Sequence, residues 1–432
     1  MNSKICLKIM PSQVDRETIQ ISREELDQWK KTVQTAHTKP RGKSYRETPG
    51  PRGWPIIGNM LEIKRRRLHL IFQDWADKFG PLYQFSIGRR RFFAVADADL
   101  IQDILRRRPD TFRRISAIEG IFSELGVRGL FSSEGPRWRR QRALTMPAFN
   151  SSHLQQFMPM MATITKRLQR RWEKAADEKV DVEAQKDLMR YTVDVTTTLA
   201  IGHDMNTLET EGDIIQRHLE HLMPAISRRV TAPFPYWRYI TIPKDREAGK
   251  ALAALKKDLE DLVVNAKARM KENPILFEKP TNFLEGLLAG SKEMGGEFTD
   301  PELYGNILTI LVAGEDTTAN SIAWAIYYLL EHPEVQEKMH QEAMQSPTFH
   351  PDAYPYLEAV ANEAMRLKPV GTFLFLEPIE DTTIGEYHVP KGTGVTAILS
   401  YPPLQDFNFT RPLEFIPERW LPENRTQFPN HN

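Results

Sequence analysis

The six residues Ala313-Gly314-Glu315-Asp316-Thr317-Thr318 interrupt an otherwise apolar segment that spans residues 304–330. The segment is long enough to cross a bilayer, but carboxylates at its centre would be costly in lipid. It therefore predicts a long helix buried in a soluble protein. Glycine, aspartate and threonine are weak helix formers, so this polar step lowers the stability of the helix relative to alanine or leucine.

Two interpretations of the polar step stay open on these residues alone. A glycine lets a bulky planar group approach the backbone, and a threonine hydroxyl can compete for a backbone carbonyl and open a groove. A buried acid beside that groove can relay protons. The same residues also fit a solvent-facing polar turn of an ordinary helix.

Three further motifs lie on either side of this helix. Glu363 and Arg366 are three residues apart on a predicted helix and can pair, although an exposed pair of little energetic worth also fits. The segment Phe415-Ile-Pro-Glu-Arg-Trp420 lies in a proline-rich, irregular region, where simple loop packing is the alternative. Trp138 and Arg142 share one helical face and suit a carboxylate ligand, or form a cation–π pair at the surface.

Helical patterns dominate the rest of the chain, with a few strands before and after them. This order predicts a mainly α protein with a small β region, an α+β layout without a dinucleotide-binding or P-loop motif. Strands are predicted over 82–87, 92–95, 373–376, 382–384 and 395–398. Helices are predicted over 68–79, 98–107, 136–144, 153–176, 182–201, 214–227, 246–271, 281–289, 300–330, 333–345 and 354–368.

The 58 basic and 57 acidic residues nearly cancel, but arginines cluster in the first third at 65–67, 89–91, 106–108 and 137–142. These clusters are solvated surface, or a basic face for an acidic electron-transfer partner or for cofactor carboxylates. Because they are scattered and no binding motif accompanies them, we do not expect nucleic acid as a partner.

The single cysteine, Cys6, excludes an intramolecular disulfide and fits a reducing compartment. Residues 1–10 lack an apolar core and a cleavage site, so we expect no signal peptide, no membrane anchor and a cytoplasmic location. Residues 1–47 are polar and are predicted to form a partly disordered extension before a domain over 48–432.

The motifs together resemble the cytochrome P450 family of haem-thiolate monooxygenases. The proline-rich entry 48–58, the tryptophan–arginine helix, the polar step, Glu-x-x-Arg and the Pro-Glu-Arg-Trp segment occur in that family's order. The resemblance implies one domain that binds haem b and inserts one oxygen atom from dioxygen into an apolar organic substrate. It also implies a separate electron donor, either a ferredoxin or a flavin reductase.

The resemblance also implies residue roles. Trp138 and Arg142 would hydrogen-bond a haem propionate, and Ala313 and Gly314 would lie against the haem. Asp316 and Thr317 would deliver protons during dioxygen reduction. A buried charge network would comprise Glu363, Arg366 and Arg419. The substrate pocket would be bordered by residues 115–129, 224–236 and 370–374, including Val370, Thr372 and Phe373.

Two departures from the family pattern limit these expectations. Leu376 stands where the family usually offers an arginine to the second propionate. The family's cysteine loop and final helix follow the Pro-Glu-Arg-Trp segment, whereas here no cysteine follows Cys6. We therefore expect a chain that is incomplete at its C-terminus, without a metal ligand and inactive as given. The alternative is a non-catalytic helical remnant that binds a hydrophobic ligand or haem without turnover.

Overall fold

The structure, a computed structural model, describes residues 42–427 except 65–66, 126, 150, 211–223, 227, 230–231, 233–234, 294 and 346–350. Cys6 and most of the predicted helix 214–227 lie outside the described residues. Within them, helices account for most of the chain and strands for a small part. The prediction of a mainly α protein with a small β region is confirmed.

The helices are numbered in chain order. Their bounds are α1 Leu68–Phe79, α2 Ala98–Arg106, α3 Ser116–Glu124, α4 Gly135–Thr145, α5 Ser151–Asp177, α6 Ala184–Ile201, α7 Pro243–Glu272, α8 Phe283–Glu293, α9 Asp300–Glu331, α10 Pro333–Gln345 and α11 Pro355–Leu367. A short 3-10 turn, Pro417–Trp420, follows near the end.

The strands form two small sheets. They are β1 Lys43–Ser44, β2 Leu82–Ile87, β3 Arg90–Val95, β4 Phe112–Arg114, β5 Leu374–Pro378, β6 Thr382–Ile384, β7 Tyr387–Val389 and β8 Gly394–Ala397. The larger sheet has the order β2-β3-β8-β5-β4, and the smaller has the order β1-β7-β6. Because β3 pairs with β8, the early hairpin and the late strands belong to one sheet, although most of the helices lie between them in the chain.

Residues 43–44 lie within the predicted N-terminal extension, yet they pair in parallel with Tyr387 and His388 of β7. The side chain of Tyr45 is buried against Phe93 of the larger sheet. These residues are thus part of the folded domain. The boundary between the extension and the domain otherwise stays a prediction.

Local sequence explains where α9 begins. Thr299 and Glu302 form a capping box, in which the Thr299 amide donates to Glu302 Oε2 at 2.9 Å. Pro301 occupies the first turn, where its missing N–H costs nothing. Buried residues of α9, including Ile307 and Leu311, then pack in a core with α6, α7 and α8. This core fixes the helix that carries the polar step.

Among the described helices, α9 included, none combines the length and the apolar character that a membrane crossing requires.

Sequence patterns did not predict α3 or the short strands β1, β4 and β7. Helix α3 has Gly120 at its centre and buries Ile121 and Phe122, a pattern too short to show a helical period.

Candidate active site

One face of α9 is open along the polar step. Ala313 and Thr317 are exposed, and Trp324, which lies on the same face, is 38% exposed. Residues four and eleven positions apart project from one side of an α-helix. Gly314, Glu315 and Asp316 are half-buried and Thr318 is exposed, so the polar step presents a surface that another group can cover.

Hydroxyl and amide side chains bond to the backbone carbonyls of the polar step. The Thr317 hydroxyl donates to the Ala313 carbonyl at 2.6 Å, and the Asn320 amide donates to the Asp316 carbonyl at 2.7 Å. One turn later, the Ser321 hydroxyl donates to the Thr317 carbonyl at 2.9 Å. Such bonds compete with the helical N–H donors and loosen the helix locally. The first interpretation of the polar step expects this competition for backbone carbonyls, and a groove opened by it stays a prediction.

The back of the polar step packs against α6. A Cβ added at Gly314 would lie 2.7 Å from Thr196 Oγ1 and 2.8 Å from its Cγ2. Beside it, the Thr192 hydroxyl donates to the Glu315 carbonyl at 3.1 Å. In this structure the missing side chain of Gly314 allows α6 to approach α9 closely. A contact between Gly314 and a planar cofactor stays a prediction.

A second polar cluster surrounds the buried carboxylate of Glu363, which α11 positions. Arg366 binds it with two hydrogen bonds of 2.8 Å, and Arg419 Nε adds one of 3.2 Å. The Trp420 indole and the Ile416 amide donate to the same carboxylate at 2.9 and 3.0 Å. The carboxylate therefore accepts five hydrogen bonds, and the surface-pair interpretation does not describe it.

The two guanidinium groups in this cluster also bind backbone carbonyls. Arg366 donates to the carbonyls of Pro403 and Pro412 at 2.7 Å each, and Arg419 donates to that of Arg411 at 2.7 Å. Burial lowers the pKa of the Arg419 guanidinium, although an arginine stays charged in a protein. The cluster thus ties α11 to the irregular segment that runs through residues 403–420.

Helix α4 carries four arginines in different environments. Arg137 Nη2 lies 3.6 Å from Glu119 Oε1, and Arg140 Nη1 lies 2.8 Å from Glu302 Oε1. Arg139 forms an ion pair with Asp110. The guanidinium of Arg142 instead lies 5.3 Å from the centre of the Trp138 ring, on an exposed part of the helix. The structure therefore contains the predicted cation–π pair, and a bond to a propionate stays a prediction.

A sequence model described as Cytochrome P450 matches residues 48–432. The chain belongs to the cytochrome P450 family. Its function at family level is that of a haem-dependent monooxygenase, an oxidoreductase with a haem–iron cofactor. Substrate, dioxygen and a source of electrons are the partners that this chemistry needs.

Individual relatives support this assignment at low sequence identity. The chain is 24% identical to Protein LUTEIN DEFICIENT 5, chloroplastic, of Arabidopsis thaliana, over 84% of this chain and 63% of that protein. It is 26% identical to Cytochrome P450 83A1 of the same plant, over 89% of this chain and 80% of that protein. The crystal structure of the cytochrome P450DA heme domain superposes with a TM-score of 0.76 at 21% identity, covering 88% of this chain and 83% of that one.

Two groups of described residues have a chemistry that suits contact with a haem. The open face of α9 leaves room beside Ala313 and Thr317, and the exposed Arg142 with the Trp138 indole offers donors for a carboxylate. Leu376, at the position where the family usually has an arginine, offers no donor to a propionate. Its side chain is fully buried in β5, directly opposite Arg114 of β4. A thiolate ligand is not supplied by residues 48–432, since Cys6 is the single cysteine of the sequence.

The three residues assigned to the substrate pocket lie in different surroundings. Val370 is 40% exposed. The Thr372 carbonyl accepts a bond from the Ser400 amide at 3.1 Å. The Phe373 ring meets Phe72 edge-on at 5.2 Å, within an aromatic cluster of the larger sheet. Their contact with a substrate stays a prediction.

Sequence reasoning missed several residues that shape the site. No sequence pattern predicts a role for Trp420 on its own, yet its indole completes the bonds to Glu363. The run TVDVTTT over 192–198 is the one signal for Thr192 and Thr196, since it places their hydroxyls one helical turn apart. Gly129 and Gly305 lie in no motif. A Cβ on either would collide with the backbone of the other, so only glycines allow this loop to meet α9.

Proposed function

We propose that the open face of α9 is the wall of the haem site on which dioxygen is reduced, with Asp316 and Thr317 delivering protons. The reaction would insert one oxygen atom into an apolar organic substrate. Haem supplies the oxygen chemistry when it is bound. The observation that carries the proposal is the exposed Thr317 hydroxyl, held at 2.6 Å from the Ala313 carbonyl.

That geometry suits a hydroxyl that passes on a proton. While Thr317 donates its hydrogen to the Ala313 carbonyl, its oxygen can accept a hydrogen bond from water. Rotation about the Cα–Cβ bond would turn the hydroxyl outward, where it can give its proton to the reacting group. The carboxyl group of Asp316, the preceding residue and half-buried, would then give its own proton to the Thr317 oxygen and be reprotonated from water.

The residues proposed to hold the cofactor lie on α4 and on α9 itself. Trp138 and Arg142 of α4 would bind one propionate, and the backbone at Ala313 and Gly314 would border the macrocycle. The Glu363 cluster contributes no group to the reaction in this proposal. It would fix the segment 403–420 beneath the site.

Electrons would come from a separate ferredoxin or flavin reductase. Among the relatives is a self-sufficient cytochrome P450 monooxygenase of Aspergillus niger, 26% identical, of which this chain covers 37%. The names of two relatives include the word chloroplastic. A cytoplasmic location of this chain stays a prediction.

The test is a Thr317→Ala substitution in a version of the protein with a restored C-terminus that supplies the cysteine ligand, loaded with haem and given electrons by a surrogate reductase. We expect substrate binding to be unchanged and product per electron to fall about tenfold or more, because a positioned proton donor contributes at least that much. The missing electrons should be recovered as hydrogen peroxide. Fatty acids, terpenoids and aromatic compounds would be screened first, and the best wild-type substrate used.

The matched control is Thr163→Ala. Thr163 is also an exposed threonine whose hydroxyl donates to a carbonyl four residues earlier, that of Pro159, at 3.0 Å in α5. This variant should keep the wild-type yield of product. An unchanged yield in Thr317→Ala as well would show that the polar step has only a structural role.

A further inference from the structure

We infer that Thr192 of α6 is a positioning residue for the polar step of α9. Its hydroxyl competes for the Glu315 carbonyl and keeps the helix loose around Thr317. This role rests on the proposed function: α9 would meet the haem with one face, and α6 behind it would set the conformation of that face. Thr192 touches neither substrate nor cofactor in this account.

The carbonyls of the polar step carry an unusual number of additional donors. Those of residues 313, 316 and 317 each accept a bond from a side chain of α9 itself. The carbonyl of Glu315 accepts its additional bond from another helix, through Thr192. Helix α6 can therefore set how tightly this turn of α9 is wound.

The Thr192 hydroxyl is not needed to satisfy any buried acceptor. It lies 3.0 Å from the Met189 carbonyl and 3.1 Å from the Glu315 carbonyl, and it has one hydrogen to share between them. Both carbonyls lie within helices, where the amide four residues later is their regular partner. For Glu315 that amide belongs to Ala319, which is fully buried. The hydroxyl therefore acts as a competitor.

Two further contacts place α6 close enough for this competition. Gly314 leaves space for Thr196, as a Cβ there would lie 2.7 Å from the threonine hydroxyl. At the start of α6, the Gln185 amide donates to Asn320 Oδ1 at 2.9 Å, and Asn320 in turn binds the Asp316 carbonyl. Contacts from α6 thus reach Gly314 and the Glu315 carbonyl directly, and the Asp316 carbonyl through the side chain of Asn320.

The decisive variant is Thr192→Val, which keeps the shape of the side chain and removes the hydroxyl. We expect the bond from the Ala319 amide to Glu315 to strengthen, so that deuterium uptake of peptides covering residues 315–322 slows about threefold or more. A residue that only supported packing would give the opposite sign, since its loss would speed exchange. Thr192→Ser should restore the wild-type rate.

The control is Thr198→Val on the same helix, whose hydroxyl donates to the Asp194 carbonyl at 2.8 Å. It should leave exchange over 315–322 unchanged. In the haem-loaded version with a restored C-terminus, Thr192→Val should raise the share of electrons that ends as peroxide and leave substrate affinity unchanged, because it acts through Thr317.

Exchange is measured without haem or turnover, so the inference can fail separately from the proposed function. Faster or unchanged exchange over 315–322 in Thr192→Val would overturn the positioning role, whatever Thr317→Ala does. Normal coupling in Thr192→Val, with Thr317→Ala uncoupled, would overturn it too. Slower exchange with normal coupling in Thr317→Ala would instead show that the proposed function has failed.

Discussion

The polar cluster around Glu363 and the polar step of α9 are built in opposite ways. Around Glu363 the charged groups are buried and five hydrogen bonds converge on one carboxylate. Along the polar step of α9 the side chains bond to backbone carbonyls, and one face stays exposed. The charges around Glu363 are therefore satisfied by one fixed set of partners. The hydroxyl groups of the polar step can exchange one hydrogen-bond partner for another.

This difference separates a structural role from a chemical one. A buried ion pair need not add net stability, but removing one member leaves the others uncompensated. Hydroxyls that compete for helix carbonyls cost little to remove and change local geometry instead. Substitutions in the Glu363 cluster should therefore act on folding, and substitutions on the open face of α9 should act on function.

The largest effect is expected from Glu363→Ala. It leaves the guanidinium groups of Arg366 and Arg419 facing each other without a carboxylate, so the free energy of unfolding should fall by about 3–5 kcal/mol. That is a large part of the about 5–15 kcal/mol available to a domain. Little soluble protein should remain, and urea unfolding followed by circular dichroism would measure the loss in what does.

The control for this variant is Glu386→Ala, which removes an exposed carboxylate paired with Lys43 at 2.9 Å. Exposed ion pairs contribute little to the free energy of unfolding, so the unfolding curve of Glu386→Ala should match that of wild type. Glu363→Gln, which keeps an acceptor oxygen, should lie between the two. If Glu363→Ala melted like Glu386→Ala, the contrast between the two clusters would be lost.

A smaller effect is expected where the two helices cross. Gly314→Ala brings a methyl group against Thr196 of α6 and should cost about 1–3 kcal/mol, as overpacking does. Gly249→Ala in α7 meets nothing within 4 Å and should be stabilising by about 0.5–1 kcal/mol. Thermal melts of the two variants should therefore shift in opposite directions.

Adding Thr196→Ala to Gly314→Ala should recover most of the lost stability, because the atoms that collide with the new methyl group are gone. A double variant as unstable as Gly314→Ala alone would mean that the glycine is required for another reason. Contact with the cofactor would then be the first alternative to examine.

Much of the fold could be predicted from local sequence. The bounds of α1 and α10 match the predicted ranges, since Gly80 and Pro81 end the first and prolines bracket the second. Strand pairing could not be predicted in the same way. Leu376 lies opposite Arg114, more than two hundred residues earlier, and no local pattern encodes that register.

The candidate site was predictable only where residues carry a motif. Asp316, Thr317, Glu363 and Arg366 lie in short patterns with a chemical reason for their spacing. Thr192 acts through a hydroxyl on another helix, and its importance depends on the crossing of α6 and α9. Such a contact is a tertiary property, and neither composition nor periodicity shows it.

The central claim is that haem covers the open face of α9. The most direct test is a titration with hemin, followed by Soret absorbance, of wild type, Ala313→Trp and Ala253→Trp. Both alanines are exposed helix residues, so both variants should fold and melt alike. We expect wild type and Ala253→Trp to take up hemin equally, and Ala313→Trp to bind it about tenfold more weakly or worse, because the indole occupies the cofactor's place. Equal uptake by Ala313→Trp, or none by wild type, would contradict the account.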